Sequence, residues 1–331
     1  MITANFSPRL RHCTLIDNPL SNETTLVVGD EYFTLERSGD RSKFLQLKSF
    51  FDGRHSIADI SLKTDLSEDT IINIVSAFDN AGLLQRRHAQ PSISVNLFRR
   101  AIEKTSLMWR RQIGLHKLFI GLGNRSFRKE VFIGLLLETY HYVRLLPQAL
   151  MEVVKNSRSA VFRDVILHYA EQELDHYIEY AKSLIQIDRI ARHLEESHPT
   201  VGTLSLVRNF ESIGRRHELS LICCLQLIEA RAAEMDDAEN DLLAIASGYG
   251  MRDLMQPFID HMKIDVNLGH SDLLEQALKN SDLVSAEAAH TAVNDMHDIK
   301  HSFDVFHDSV IAYYDDISNY IPRPRVDFFA L

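Results

Sequence analysis

The sequence predicts a mainly α-helical protein that begins with a small α+β module, and three observations carry that prediction. Apolar stripes at helical spacing run from about Val95 to Ile321. Proline and glycine in that region fall mostly at a few breaks. Ahead of it, a stretch rich in β-branched and aromatic residues is followed by short segments with helix start and stop signals. The 331 residues, 45% hydrophobic and 25% charged, fit a globular protein with a sizeable core in two domains. Residues 1–90 and 91–331 are the expected domains, and Gln90-Pro91-Ser92 is the expected linker.

Composition narrows the functional classes. A net charge of -10 argues against a broad nucleic-acid surface, because phosphate binding is driven by clustered Lys and Arg. Basic residues gather only locally, between Arg99 and Lys129. Three cysteines, Cys13 and the adjacent Cys223 and Cys224, give no disulfide framework and suit a reducing compartment. No run of about 18 uncharged apolar residues is present, and Arg9, Arg11 and Asp17 interrupt any signal-peptide pattern. The expectation is a cytoplasmic protein with no membrane and no nucleic-acid partner.

In the N-terminal domain, residues 24–36 alternate in part, and the segment Lys43 to Phe51 follows the turn signal Ser38-Gly39-Asp40. A small hairpin is expected there. Ser56 and Ser67 stand where helices should start and Gly82 where one should stop, which predicts a winged-helix-like module of a hairpin and three short helices. The segment Glu68 to Asn80 carries Glu68, Asp69 and Asp79 and no Lys or Arg, which disfavours DNA recognition. About residues 25–85 resemble the PqqD-type domains of peptide-modifying pathways, through Asp52-Gly53, Ser56-Ile57 and the closing Gly82-Leu83-Leu84. The resemblance implies a peptide or carrier-protein partner. The alternatives are packing on the neighbouring domain or dimerisation, which would make the chain a homodimer.

The second domain is expected to hold six or seven long helices, broken at Gly121-Leu122-Gly123, at Pro199 to Gly202 and at Gly248-Tyr249-Gly250. Carboxylates and histidines interrupt its apolar stripes. Glu138 sits within the stripe Val131, Leu135, Tyr142 and Leu145. Glu173, with His176 one turn on, interrupts Ile166, Tyr169, Tyr177 and Tyr180. Glu229 lies among Ile222, Leu225 and Ala232, while His261 and Asp265 lie among Leu254, Phe258 and Leu268. A buried carboxylate normally takes a proton, a cation or a metal. Single glutamates on two helices and paired ligands on two others match the general plan of two-metal carboxylate bundles. Oxygen donors with imidazoles favour ferrous iron, with manganese also suitable, over zinc.

With these residues in view, about residues 100–315 resemble the haem-oxygenase-like di-iron oxidases, relatives of the TenA and PqqC helical proteins. The resemblance implies a haem-oxygenase-like bundle and two Fe(II) ions, with Glu138, Glu173, His176, Glu229, His261 and Asp265 as ligands. The family's last histidine, three residues beyond the aspartate, is Leu268 here. His270 is the first substitute and Asp272 the second. O2 would be co-substrate in oxidation of a small amine, an amino acid, a fatty acid or a carrier-bound or peptide-tethered substrate. Two other functions stay open: a metal-free TenA- or PqqC-like enzyme, and a non-enzymatic peptide-binding or regulatory protein.

Four further features have plainer readings. His141, one turn after Glu138, is read as a pocket residue rather than a ligand. His297 and His301 are spaced to share a helix face and His307 follows, but the many aspartates around them favour a solvated face. Cys223 and Cys224 read as small buried hydrophobes. Tyr140, Tyr142, Tyr169, Tyr177 and Tyr180 read as core or pocket wall.

Overall fold

The computed structural model describes residues 2–11, 13–18, 23–28, 31–35, 41–85, 91–229, 235–268 and 272–326. Contacts divide the chain into two compact units, Met1–Gln90 and Pro91–Leu331. In the first, β1 (Thr14–Asn18), β2 (Glu23–Val28) and β3 (Glu31–Leu35) form an antiparallel meander in that order. Leu15 pairs with Leu26, which pairs in turn with Phe33. Three helices follow: α1 (Arg41–Ser49), α2 (Ile57–Lys63) and α3 (Glu68–Asn80). The Ser56 side chain accepts from the backbone of Asp59, whose carboxylate reaches back to the Ser56 N–H and completes a capping box. Ser67 caps α3, and Gly82 at φ +70° ends it in the left-handed conformation that favours glycine. Leu26, Leu47, Phe51, Ile57, Ile71 and Phe78 belong to this unit's own core.

Two features of this unit depart from expectation. Thr14–Asn18 adds a third strand to the sheet, and both strands of the hairpin come from residues 23–35. Lys43 to Ser49 is helical. The spacing of Phe44 and Leu47 explains the second difference: a step of three puts both on one helical face, toward the core. The turn signal Ser38-Gly39-Asp40 lies outside the described residues.

The second unit starts with β4 (Ser92–Ser94), which leads into α4 (Val95–Gly114). Next come α5 (Lys117–Gly123), the long α6 (Lys129–Asn156), α7 (Ala160–Glu173), α8 (Tyr177–Leu184) and α9 (Asp188–Ala191). The chain continues through α10 (Val201–Arg216), α11 (Glu218–Ile228), α12 (Met235–Gly248), α13 (Arg252–Leu268) and α14 (Leu273–Leu278). It ends with β5 (Leu283–Ser285) and α15 (Ala286–Tyr314). Strands β4 and β5 pair antiparallel, and serines at their ends, Ser94 and Ser285, cap α4 and α15. Eight of the described helices of this unit have 11 residues or more, above the six or seven anticipated for it.

Helix α6 is the centre of the packing, with α7, α8, α10 and α15 against it, while α15 also meets α4 and α11. Its stripe is wide: Val131, Leu136, Tyr140, Leu146 and Leu150 are all buried, each burial contributing roughly 1.5–3 kcal/mol. Helix α13 packs on α8 and α12, which brings its polar residues toward the end of α7. Of the expected breaks, Thr200 caps α10 and Gly250 at φ +68° separates α12 from α13, whereas Gly121 to Gly123 forms the last turn of α5. Among the described residues, no helix is long and apolar enough to cross a membrane.

Candidate metal centre

Helix α7 ends on Glu173, and the chain turns through Leu174 to His176 before α8 begins. Leu174 and His176 keep right-handed helical torsions, and the His176 N–H donates to the Glu173 carbonyl at 3.3 Å. The three-residue spacing therefore still places both side chains together, with His176 Nδ1 3.1 Å from Glu173 Oε2. His261 arrives from α13 with its ring perpendicular to that of His176, centroids 4.6 Å apart. One donor atom from each of Glu173, His176 and His261 lies within 4.8 Å of the others. Glu173 and His261 are buried, and His176 nearly so.

The donor chemistry fits a metal. One carboxylate and two imidazoles with room for further ligands is the set that suits non-haem Fe(II), and Mn(II) tolerates it. A tyrosine completes the setting: the Tyr180 hydroxyl lies 3.1 Å from His261 Nδ1, which makes Nε2 the nitrogen to ligate. Tyr180 stands one helical turn after His176, so a single element supplies both a ligand and the residue that orients another.

Glu229 is the next residue of the expected set. Helix α11 stops at Ile228, and Glu229 takes extended torsions. It is buried, and its Oε1 accepts from the Tyr169 hydroxyl at 2.5 Å. Tyr169 lies one turn before Glu173 on α7. Burial pushes the Tyr169 hydroxyl well above its ordinary pKa, and the nearby charges of Glu229 and Glu173 push it further. Burial and the same two carboxylates raise that of Tyr142 as well. Glu229 and Glu173 therefore act on the same pair of hydroxyls. Asp265 is on α13, one turn beyond His261, but its side chain lies outside the described residues, and so does the whole of His270. Asp272 precedes α14 and is exposed.

Glu138 is not in this group. It is fully buried on α6, where one carboxylate oxygen accepts from the Thr200 N–H at 2.9 Å, from the Thr200 hydroxyl at 3.2 Å and from the Thr203 hydroxyl. The Tyr314 hydroxyl donates to the other oxygen at 2.7 Å. These donors gather at the N-terminus of α10, whose partial positive charge suits a carboxylate. Burial still raises the acid's pKa above its ordinary value, opposed by the bonds from Thr203, Tyr314 and Thr200. A helix terminus and hydroxyls thus surround the carboxylate that the resemblance offered as a metal ligand.

His141 faces Ser197, whose hydroxyl lies 3.0 Å from its Nε2. Burial, with Arg144 and two other basic residues adding to it, lowers its pKa to about 3. Cys223 and Cys224 are free and buried, and burial raises both thiols, so they act as small hydrophobes. The roles of Tyr169 and Tyr180 were missed as specific assignments. Their signal was present in the i-4 and i+4 spacing from Glu173 and His176.

No protein-family model and no curated protein matches the sequence. Solved structures do match. A domain of unknown function with a haem-oxygenase-like fold from Shewanella denitrificans OS217 is 16% identical at a TM-score of 0.50, over 63% of this chain and 90% of that one. A TenA homologue from Pseudomonas syringae pv. tomato DC3000 is 9% identical at 0.46, over 64% and 92%. A TenA homologue from P. horikoshii OT3 is 14% identical at 0.44, over 66% and 98%. The fold is mainly helical and haem-oxygenase-like, with a small β-containing N-terminal region.

Proposed function

We propose that this chain is a non-haem iron oxidoreductase that uses O2, with Glu173, His176 and His261 holding one Fe(II). The observation that carries the proposal is the convergence of one buried carboxylate and two imidazoles from α7, the turn after it and α13. Iron bound there would supply an open coordination position and a redox-active centre for O2. Glu173 offsets part of the ion's charge. Tyr180 fixes the orientation of His261, and Tyr169 holds Glu229 beside the site. Burial among apolar side chains keeps bulk water from the reacting groups.

A second Fe(II), making the centre a di-iron site, would draw on Glu229 with Asp265 and either His270 or Asp272. Manganese is the alternative metal. The substrate class is a small amine, amino acid or fatty acid, or such a group tethered to a carrier or peptide. Residues 25–85 would present that partner.

The test is metal analysis after anaerobic loading with Fe(II), followed by O2 consumption. Wild-type protein is expected to hold two irons per chain, Glu229→Ala one, and the Glu173→Gln/His261→Ala double variant none. One iron in the wild type would leave the Glu173, His176 and His261 site and remove the second ion. Full iron binding by the double variant would overturn the assignment. Metal-free protein that still transforms a substrate would favour the TenA-like reading.

A further inference from the structure

Away from the Glu173 cluster, α15 carries a second set of imidazoles. His297 and His301 are four residues apart, so they project from adjacent turns of one helical face. Their Nε2 atoms are 3.2 Å apart and their rings stand at 79°. Two metal–nitrogen bonds of about 2.0–2.1 Å, separated by 90–110°, place their nitrogens about 2.8–3.4 Å apart. The observed separation falls in that window.

Each ring is also held from behind. His301 Nδ1 lies 3.2 Å from Asp304 Oδ2, an oxygen that Lys300 also approaches at 2.6 Å. A carboxylate at Nδ1 keeps the proton there and leaves the Nε2 lone pair to bind. The His297 ring packs against the indole of Trp109 on α4, centroids 5.4 Å apart and planes at 39°. With one ring oriented by a carboxylate and the other by an aromatic wall, little side-chain entropy is left to lose on binding. His301 is 56% exposed, so an ion reaches the pair from solvent and completes its shell with water.

We infer that His297 and His301 form a two-histidine site for a divalent transition-metal ion that favours imidazole, of the Cu2+ or Zn2+ class. In the free protein the two Nε2 atoms share one hydrogen bond, with His297 as donor when Asp304 holds the His301 proton at Nδ1. On binding, His297 adopts the other neutral tautomer and both Nε2 lone pairs face the ion. No bond to carbon changes and no electron moves. The ion clips two turns of α15 together, and the site shares no residue with the Glu173, His176 and His261 cluster.

Trp109 is the sole tryptophan of the chain and touches one of the ligands, so it reports on this site. The experiment titrates the untagged full chain with Cu2+ and follows tryptophan fluorescence, with copper EPR to count coordinated nitrogens. Saturable quenching is expected in the wild type, and a two-nitrogen signal is expected in His261→Ala, where the Glu173 cluster keeps only one imidazole. His301→Ala, an exposed change that does not threaten folding, should weaken the quenching at least tenfold, and Asp304→Asn should weaken it by about tenfold. His261→Ala should leave it unchanged. Quenching of wild-type strength in His301→Ala, or its loss in His261→Ala, would overturn the site.

Discussion

Glu138 and Glu173 are both buried carboxylates in the apolar stripes of neighbouring helices, and they answer the cost of burial differently. Glu138 takes its donors from the first turn of α10 and from Tyr314. Glu173 faces two imidazoles. The sequence shows which carboxylates are buried, because periodicity reports the face of a helix. It does not show which distant segment supplies the partner: Thr200 lies 62 residues from Glu138. The pairing of Glu173 with His176 was legible because both are local, and His261 because its own stripe pointed inward. Two outcomes follow at this scale. Glu138→Gln should retain the wild-type iron content, measured by metal analysis, since its carboxylate serves α10. Thr203→Val leaves a buried carboxylate short of one donor and should cost about 1–3 kcal/mol in urea unfolding, again with iron content unchanged.

Helix starts were the most legible elements, since Ser56 and Ser67 act through their own side chains on residues three ahead, as Thr200 does within the expected break at Pro199 to Gly202. The ends of α7 and α11 were not legible. The stripe through Glu173 and Tyr180 reads as one helix, and so does the stripe through Glu229, yet α7 stops at Glu173 and α11 one residue before Glu229. In both places no glycine or proline marks the break, and a buried carboxylate with a tyrosine or histidine beside it stands where the helix ends. The contact of α6 with α15 depends on a residue that periodicity treats as neutral. A Cβ at Gly134 would lie 2.2 Å from the Tyr314 ring, the same ring whose hydroxyl reaches Glu138 one turn further along α6. Gly134→Ala should therefore destabilise by about 1–3 kcal/mol, although alanine is the better helix former by up to about 1 kcal/mol. Gly114→Ala at the end of α4, where nothing lies within 4 Å, should be neutral or slightly stabilising in the same urea assay.

For the whole molecule, hydrophobic patterning was enough to anticipate a mainly helical second unit, because its long helices show the face they bury, whereas the haem-oxygenase-like fold was anticipated only through the family resemblance. The buried histidines give that fold a measurable dependence on pH. His141 and His307 are 4% and 3% exposed, and burial, the larger cause for each, lowers both pKa values from 6.5 to about 3. Arg144 adds to the effect at His141 and His116 at His307, where Asp304 and Asp308 oppose it. Above pH 6.5 both residues are neutral in the folded and the unfolded chain, and their contribution to stability is complete. As pH falls below 6.5 the unfolded chain takes up protons that the folded chain refuses, so stability falls by up to about 1.4 kcal/mol per pH unit for each histidine, until the folded values near 3 are reached. His307 packs among Phe119, Phe303 and Phe306, so His307→Phe keeps the aromatic volume and removes the titration. Between pH 7 and pH 5 this variant should lose roughly 2 kcal/mol less stability than the wild type in urea unfolding. Equal losses in the two proteins would show that His307 is protonated in the fold and is not held neutral by its aromatic surroundings.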